Sequence, residues 1–252
     1  MAWYPVYEEC VRYNGRGGAY EEAACIFPFV PYTHYEEHVF CQGRVYWWME
    51  AHPEFPVICV GLYLVAIHYG RKYFEHRKPW NLRTALAIWN FTLSLFSAIG
   101  FSRTAPLLMH YLYHYSLQEN YCFDPEHTCG SGSTGLWVQL FAMSKFPELF
   151  DTFFIVVHKK PLLFLHWYHH VSVLLYCWHT YVMRVNIGFF FCVMNYAVHS
   201  IMYAYYFLMA INCKPKWFSA LYITLAQISQ MVAGVAATVY GWYLLTFTDA
   251  KE

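Results

Sequence analysis

Charge is what this chain has least of. Asp, Glu, Lys and Arg make up 13% of its 252 residues, against roughly a quarter in soluble domains, which excludes an ordinary soluble surface. Neither sign dominates, since 16 Lys and Arg balance 16 Asp and Glu and the pI is near 7.2. Without a basic field, nucleic acid is excluded as a partner. The nine cysteines form no CxxC pair and no zinc spacing. The opening MAWYPVYEECVRYNGRGGAYEEAAC has no basic start followed by an apolar core, so a cleaved leader is not expected and the first span is expected to direct targeting. The stretch CFDPEHTC leaves two states open for Cys122 and Cys129, a disulfide in an oxidising lumen or two free thiols.

What the chain does have is apolar and aromatic side chains, 58% and 22% of residues, together with 14 histidines. Six segments approach the roughly 20 residues a helix needs to cross a bilayer: 56–70, 84–115, 136–158, 161–181, 186–211 and 217–246. The second exceeds a simple span, and Pro106 predicts a kink in it. The expected fold is therefore an all-α membrane protein, a multi-span transmembrane helix bundle over residues 46–252. Residues 1–45, rich in Gly, Tyr and Glu, are expected to be a poorly structured or surface-lying extension.

The connecting loops orient this bundle. GRKYFEHRKPWNLR (70–83), HKKP (158–161) and NCKPKW (212–217) hold most of the Lys and Arg, whereas 116–135 holds Glu119, Asp124 and Glu126 with no Lys or Arg. One threading of six helices puts all three basic loops on the same side, which the positive-inside rule makes cytosolic. Both termini then lie in the lumen.

Polar residues of four spans fall at one depth. At about 1.5 Å per residue from the cytosolic boundary, Asp151, Glu148 and Lys145 lie roughly 10 to 20 Å deep. His166, His169 and His170 lie roughly 7 to 14 Å deep, His199 about 18 Å, and Gln227 and Gln230 about 15 to 20 Å. Asn195, His199, Met202, Tyr203 and Tyr206 share one helical stripe, and Lys145, Glu148, Asp151 and Thr152 share another. Ionisable groups facing lipid cost several kcal/mol, so these stripes are expected to line a common cavity rather than the bundle's outside.

Two chemistries suit clustered histidines. H-x-x-H-H is a ligand spacing of membrane di-iron oxygenases, but the other nearby pair, His110 and His114 in HYLYH, belongs to the opposite end of its span and reads as packing or interfacial. The alternative is acyl transfer. A neutral imidazole is both nucleophile and base, and Asn195, Tyr203, Gln227 and Gln230 are donor types suited to a developing oxyanion.

Four motifs carry a resemblance. KFPELFDT, LHWYHH, NYAVHSIMYAYY and TLAQISQ, in that order, resemble the K-x-x-E-x-x-D-T, H-x-x-H-H, N-x-x-x-H-x-x-M-Y-x-Y-Y and T-x-x-Q-x-x-Q motifs of the ELO family of fatty acid elongases. The similarity covers about residues 45–245, and His at the head of the box resembles the subgroup acting on saturated and monounsaturated chains. The resemblance implies a multi-pass protein of the endoplasmic reticulum membrane that condenses a long-chain acyl-CoA with malonyl-CoA to a 3-ketoacyl-CoA, releasing CO2 and CoA. It implies no metal and no cofactor. His169 would be the nucleophile and His199 would assist, with His166 and His170 beside them and Lys145, Glu148, Asp151, Asn195, Tyr203, Gln227 and Gln230 in support.

CoA would stay at the cytosolic mouth near Arg71, Lys72, Arg77, Lys78, Lys159, Lys160, Lys214 and Lys216. The acyl tail would enter an apolar tunnel for which Trp178, Met183, Phe189, Phe190 and Phe191 are candidate wall residues. Implied partners are membrane lipid and the ketoacyl-CoA reductase, dehydratase and enoyl reductase of the elongation cycle; a homodimer is left open. The family has seven spans. Here TFTDAKE follows the sixth, so the last helix is expected to be missing from the tunnel wall.

Overall fold

The computed structural model describes residues 4–14, 17–33, 35–36, 43–128 and 130–247. Its long elements are all helices, as lipid requires of a backbone that must satisfy its own hydrogen bonds. In chain order they are α1 (Ala23–Ile26), α2 (Gly43–Ala51), α3 (Glu54–Phe74), α4 (Arg83–His114), α5 (Leu117–Cys122), α6 (Pro125–Thr128), α7 (Gly132–Ser144), α8 (Phe150–Val157), α9 (Phe164–Val182), α10 (Ile187–Ala210) and α11 (Ala220–Phe247). The only strands among the described residues, β1 (Val11–Tyr13) and β2 (Ala19–Glu21), pair antiparallel near the N-terminus.

Helices α4, α10 and α11 are each long and apolar enough to cross a membrane, and α2 with α3, bent by 71° at a short break, makes a fourth candidate. The protein is a multi-pass membrane protein. The other two expected spans differ from the expectation. The histidines of α9 lower its hydropathy, and the span read as one helix over 136–158 is broken into α7, a 3-10 turn at Pro147–Leu149, and α8. Pro147 supplies no N–H to a continuing α ladder, so the break falls there. In contrast, α4 runs through Pro106 as one element of 32 residues.

The loops sort into two ends. At one, Lys159 Nζ donates to the carbonyls of Glu75 and Arg77, the Trp80 amide donates to the Val157 carbonyl, and Arg83 reaches the Ala210 carbonyl. The three basic loops therefore meet at this basic end. At the distal end, Tyr46 OH donates to Val182 O, Thr128 Oγ1 to Asn186 Oδ1, and Arg184 pairs with Glu126 at 3.3 Å. Helices α8, α9 and α10 each close on a residue of left-handed backbone, Lys159, Arg184 and Asn212, with φ of 55°, 50° and 59°. In each case the next amide reaches back to the last turn, as in Lys160 N to Ile155 O.

The packing of α4 on α10 is the spine of the bundle. Small residues let the backbones approach. Gly100 faces the Tyr196 ring so closely that a Cβ there would lie 2.5 Å from Cζ, and Ser94 Oγ donates across to Ser200 O at 2.8 Å. Phe141, Val173, Cys177, Phe191, Cys192 and Tyr196 form a core joining α7, α9 and α10.

The described residues of the N-terminal extension pack on the bundle. Cys10 and Cys25 form a disulfide, which the sequence reading missed. The Glu21 carboxylate is buried, accepting from the Val6 and Tyr7 amides and facing His110 Nε2 of α4 at 3.4 Å. Cys122 is a free thiol, and Cys129 lies outside the described residues.

Candidate active site

Lys145, Glu148 and Asp151 recur every third residue. An α-helix of 3.6 residues per turn would fan such residues apart, but a 3-10 turn has three per turn and eclipses them. The break at Pro147 provides that geometry. Lys145 closes α7, Glu148 sits in the 3-10 turn, and Asp151 opens α8.

Lys145 Nζ donates to Glu148 Oε1 at 2.7 Å and to Asn195 Oδ1 of α10 at 3.1 Å, and stands 4.2 Å from the Phe141 ring centroid. Glu148 Oε1 also accepts from Ser144 Oγ at 3.1 Å. His199 Nδ1 lies 3.9 Å from the same oxygen, a charge contact too long for a hydrogen bond. Lys145 is 3% exposed, Glu148 6%, Asn195 2% and His199 8%, so the pair is compensated inside the bundle rather than by water.

One turn further, Asp151 accepts from Trp89 Nε1 of α4 at 2.6 Å and from Tyr203 OH of α10 at 2.7 Å. Thr152 Oγ1 lies 3.0 Å from His166 Nε2 and 2.7 Å from Tyr63 OH of α3. The His166 and His170 rings are 4.6 Å apart and those of His169 and His170 5.9 Å. Among the described residues no side chain hydrogen-bonds the His169 or His170 ring. His199 interacts electrostatically with Glu148, Lys145 and His169. Three of the four sequence motifs thus meet in one layer, in which Lys145, Glu148, Thr152, Asn195 and His199 are buried and Asp151, His166, His169 and His170 are partly exposed, with α3 and α4 packed against it.

Several expected roles change. Tyr203 OH is committed to Asp151, which removes it from the oxyanion donors. Gln227 Nε2 points to Met202 Sδ at 3.1 Å, and Gln230 is buried on α11 with no hydrogen bond to the histidines among the described residues. Tyr206 is 46% exposed and leaves the inward stripe. Lys159 and Lys214 hold loop carbonyls and Arg77 covers the Tyr73 ring, so these serve the loops' own structure. Arg71 and Lys72 instead line an open groove with His68 and Trp167 beside the histidine box. At the distal end, away from the box, the His110 ring stacks on Tyr7 and the His114 ring meets it edge-on. Among the described residues no group of three or more His, Cys, Asp or Glu is placed to hold a metal ion.

A narrow cavity of about 40 Å³ lies between α7, α9 and α10, lined by none of the box histidines. Its apolar wall includes Phe189 and Phe191, but not the other three candidates. Trp178 packs among Tyr46, Met49 and Ala142; Phe190 packs against Tyr121; Met183 is exposed. Trp89, Tyr63, Ser144 and Phe141 were missed as site residues. Tyr63 and Trp89 stand in no motif, and Trp89 meets Asp151 from 62 residues away, whereas the spacing of Ser144 to Glu148, four residues on, was a signal that went unread.

The fold and this site define an α-helical multi-pass membrane protein with a histidine-rich site enclosed among its spans. The chain belongs to the ELO family: the GNS1/SUR4 family profile matches residues 48–251. It is 42% identical over 204 residues to very long chain fatty acid elongase 6 of Drosophila melanogaster, covering 81% of this chain and 64% of that protein. It is 38% identical over 208 residues to very long chain fatty acid elongase 6 of Gallus gallus, covering 82% and 78%. To fatty acid elongase 3 of Trypanosoma brucei brucei it is 38% identical over 218 residues, covering 77% and 72%. The chain thus spans a little under two thirds of the Drosophila relative.

Proposed function

We propose that this protein condenses a long-chain acyl-CoA with malonyl-CoA, the first step of two-carbon fatty acid elongation, in the endoplasmic reticulum membrane. The observation that carries this reading is the meeting of the lysine–glutamate, histidine-box and asparagine–histidine motifs in one layer, with the Lys145–Glu148 pair, Asn195 and His199 buried. Kinship with proteins named as elongases supports the substrate class.

In the first half-reaction a His169 nitrogen attacks the thioester carbonyl, the carbon–sulfur bond breaks, and CoA leaves with an acyl-imidazole behind. In the second, malonyl-CoA loses CO2, and the resulting carbanion attacks the acyl carbonyl. That bond forms as the acyl–imidazole bond breaks, so 3-ketoacyl-CoA leaves and His169 is restored. Asn195 Oδ1 accepts from Lys145, which leaves its amide Nδ2 as a donor type for the oxyanion. His199, beside the Lys145–Glu148 pair, is placed to assist at the carbonyl or at decarboxylation. His166, held by Thr152, braces the box. The groove with Arg71 and Lys72 suits the phosphates of CoA at the cytosolic mouth. The product would pass to the reductase, dehydratase and enoyl reductase of the cycle.

The test uses membranes containing the protein, labelled malonyl-CoA and an acyl-CoA. Wild type is expected to form a labelled 3-keto product and, with acyl-CoA alone, an acylated protein visible by mass spectrometry. His169→Ala is expected to lose both. Condensation at wild-type level by the variant, at matched expression, rejects the nucleophile assignment.

A further inference from the structure

The described part of the N-terminal extension precedes the stretch that matches the family profile, residues 48–251, yet it is built into the bundle. It carries a disulfide, Cys10 to Cys25, and the hairpin β1–β2. Glu21 faces His110 of α4, Ala19 O meets His127 Nδ1 at 2.6 Å, and Glu36 accepts from Arg103 Nε at 3.1 Å and Trp137 Nε1 at 2.6 Å. Such fixation is more than a surface-lying tail needs.

One anchor falls on the cavity. Asn14 Nδ2, at the hairpin turn, donates to Glu126 Oε1 at 2.7 Å and to Ser131 Oγ at 3.1 Å. Glu126 Oε2 accepts from Arg184 Nη1 at 3.3 Å, and both Glu126 and Arg184 line the distal end of the apolar cavity. Gly18 presses on the same carboxylate: a Cβ there would lie 2.7 Å from Glu126 Cδ and Oε1. The hairpin therefore holds Glu126 from the side opposite Arg184. At the other end of the cavity Phe141 carries the Lys145 ammonium. From His169 to the end of α9 is about 20 Å at 1.5 Å per residue, the order of an extended long acyl chain. A methyl terminus arriving at Glu126 and Arg184 would have to part a half-buried ion pair and strip its water, which apolar groups cannot repay.

We propose that the N-terminal hairpin is the end stop of the acyl cavity: Asn14 and Gly18 hold the Glu126–Arg184 pair closed and thereby set the longest acyl chain accepted. This rests on the acyl-transfer reading above. The cap is a positioning device, since neither Asn14 nor Gly18 lines the cavity.

The experiment uses the full chain in detergent and a series of saturated acyl-CoAs lengthening by two carbons. Two readouts are taken: thermal stabilisation by each acyl-CoA, which reports binding without turnover, and condensation with malonyl-CoA. Wild type is expected to show stabilisation that falls away beyond a definite length. In Asn14→Ala, and independently in the double variant Cys10→Ser/Cys25→Ser, that cut-off is expected to move longer by at least one two-carbon step. Asn14→Gln, which keeps the amide, is expected to hold the cut-off nearer wild type than Asn14→Ala does. An unmoved cut-off in Asn14→Ala overturns the proposal, as does a uniform loss of binding at all lengths or wild-type binding with no length limit. Absence of condensation with the binding cut-off intact rejects the enzymatic reading and leaves the end stop standing.

Discussion

Removing the ammonium of Lys145 should damage this protein more than removing both members of its ion pair. Lys145→Met leaves the Glu148 carboxylate with the Ser144 hydroxyl at 3.1 Å and the His199 ring at 3.9 Å, in a place where the glutamate is 6% exposed. Stranding a buried charge by deleting its partner costs about 3–5 kcal/mol, whereas neutral hydrogen bonds between membrane helices average only about 0.6 kcal/mol. The charge effect should therefore dominate. Glu148→Gln should cost less, because Lys145 keeps Asn195 Oδ1 and the face of Phe141. The double variant Lys145→Met/Glu148→Gln carries no stranded charge and should be more stable than Lys145→Met alone. At about 2–4 °C per kcal/mol for a chain of this size, Lys145→Met should lower the melting midpoint in detergent by about 6–20 °C, and adding Glu148→Gln should recover a large part of that. The assay is a melt of the four proteins followed by size-exclusion fluorescence. Additive single effects, or a Lys145→Met loss under about 1 kcal/mol, would show that the pair is not the buried charge compensation described above.

Three other outcomes test the packing and the cap. Gly100→Ala should lower the melting midpoint despite the better helix propensity of Ala, since the new methyl meets the Tyr196 ring at 2.5 Å and overpacking costs about 1–3 kcal/mol; an unchanged or higher midpoint would refute the close approach of α4 and α10. Thr152→Val leaves Tyr63 OH and His166 Nε2 without their shared partner, at about 1–3 kcal/mol; condensation and melting midpoint should both fall, and Thr152→Ser should restore them. Burial raises the Glu21 carboxyl, but contact with His110 and bonds from the Tyr7 and Val6 amides outweigh this and hold it below its ordinary 4.5. Its stabilisation of the cap is therefore present above pH 4.5 and lost as pH falls through the lower folded value; proteolysis of the hairpin should accelerate over that acidic range in wild type, and a matching pH step in Glu21→Gln would refute the assignment.

Much of the bundle was legible because lipid imposes a coarse rule. Apolar length marks a span, and basic loops mark one side, so the ends of α4, α10 and α11 fall within a few residues of the expected limits. The segment 136–158 was read as one span because it is apolar on either side of its polar triplet and Pro147 was given no weight. The N-terminal hairpin was missed for a different reason: its strands are three residues long, too short for an alternation pattern, and a pairing between Cys10 and Cys25 has no spacing signature. The cavity wall was legible in part: Phe189 and Phe191 line it, whereas Trp178 packs against α2, Phe190 against Tyr121, and Met183 is exposed.

Sequence alone determined the solvent, the helical class and the residue types that meet, because burying charge in lipid is costly enough to leave a mark on composition and spacing. The tertiary structure alone decided which partner each of those groups takes. Trp89 and Tyr203 claim Asp151, Tyr63 and His166 share Thr152, and Asn14 grips Glu126 from 112 residues away. Hydrogen bonds act over about 3 Å and depend on direction, and no pattern read along one chain carries the position of a side chain on another helix.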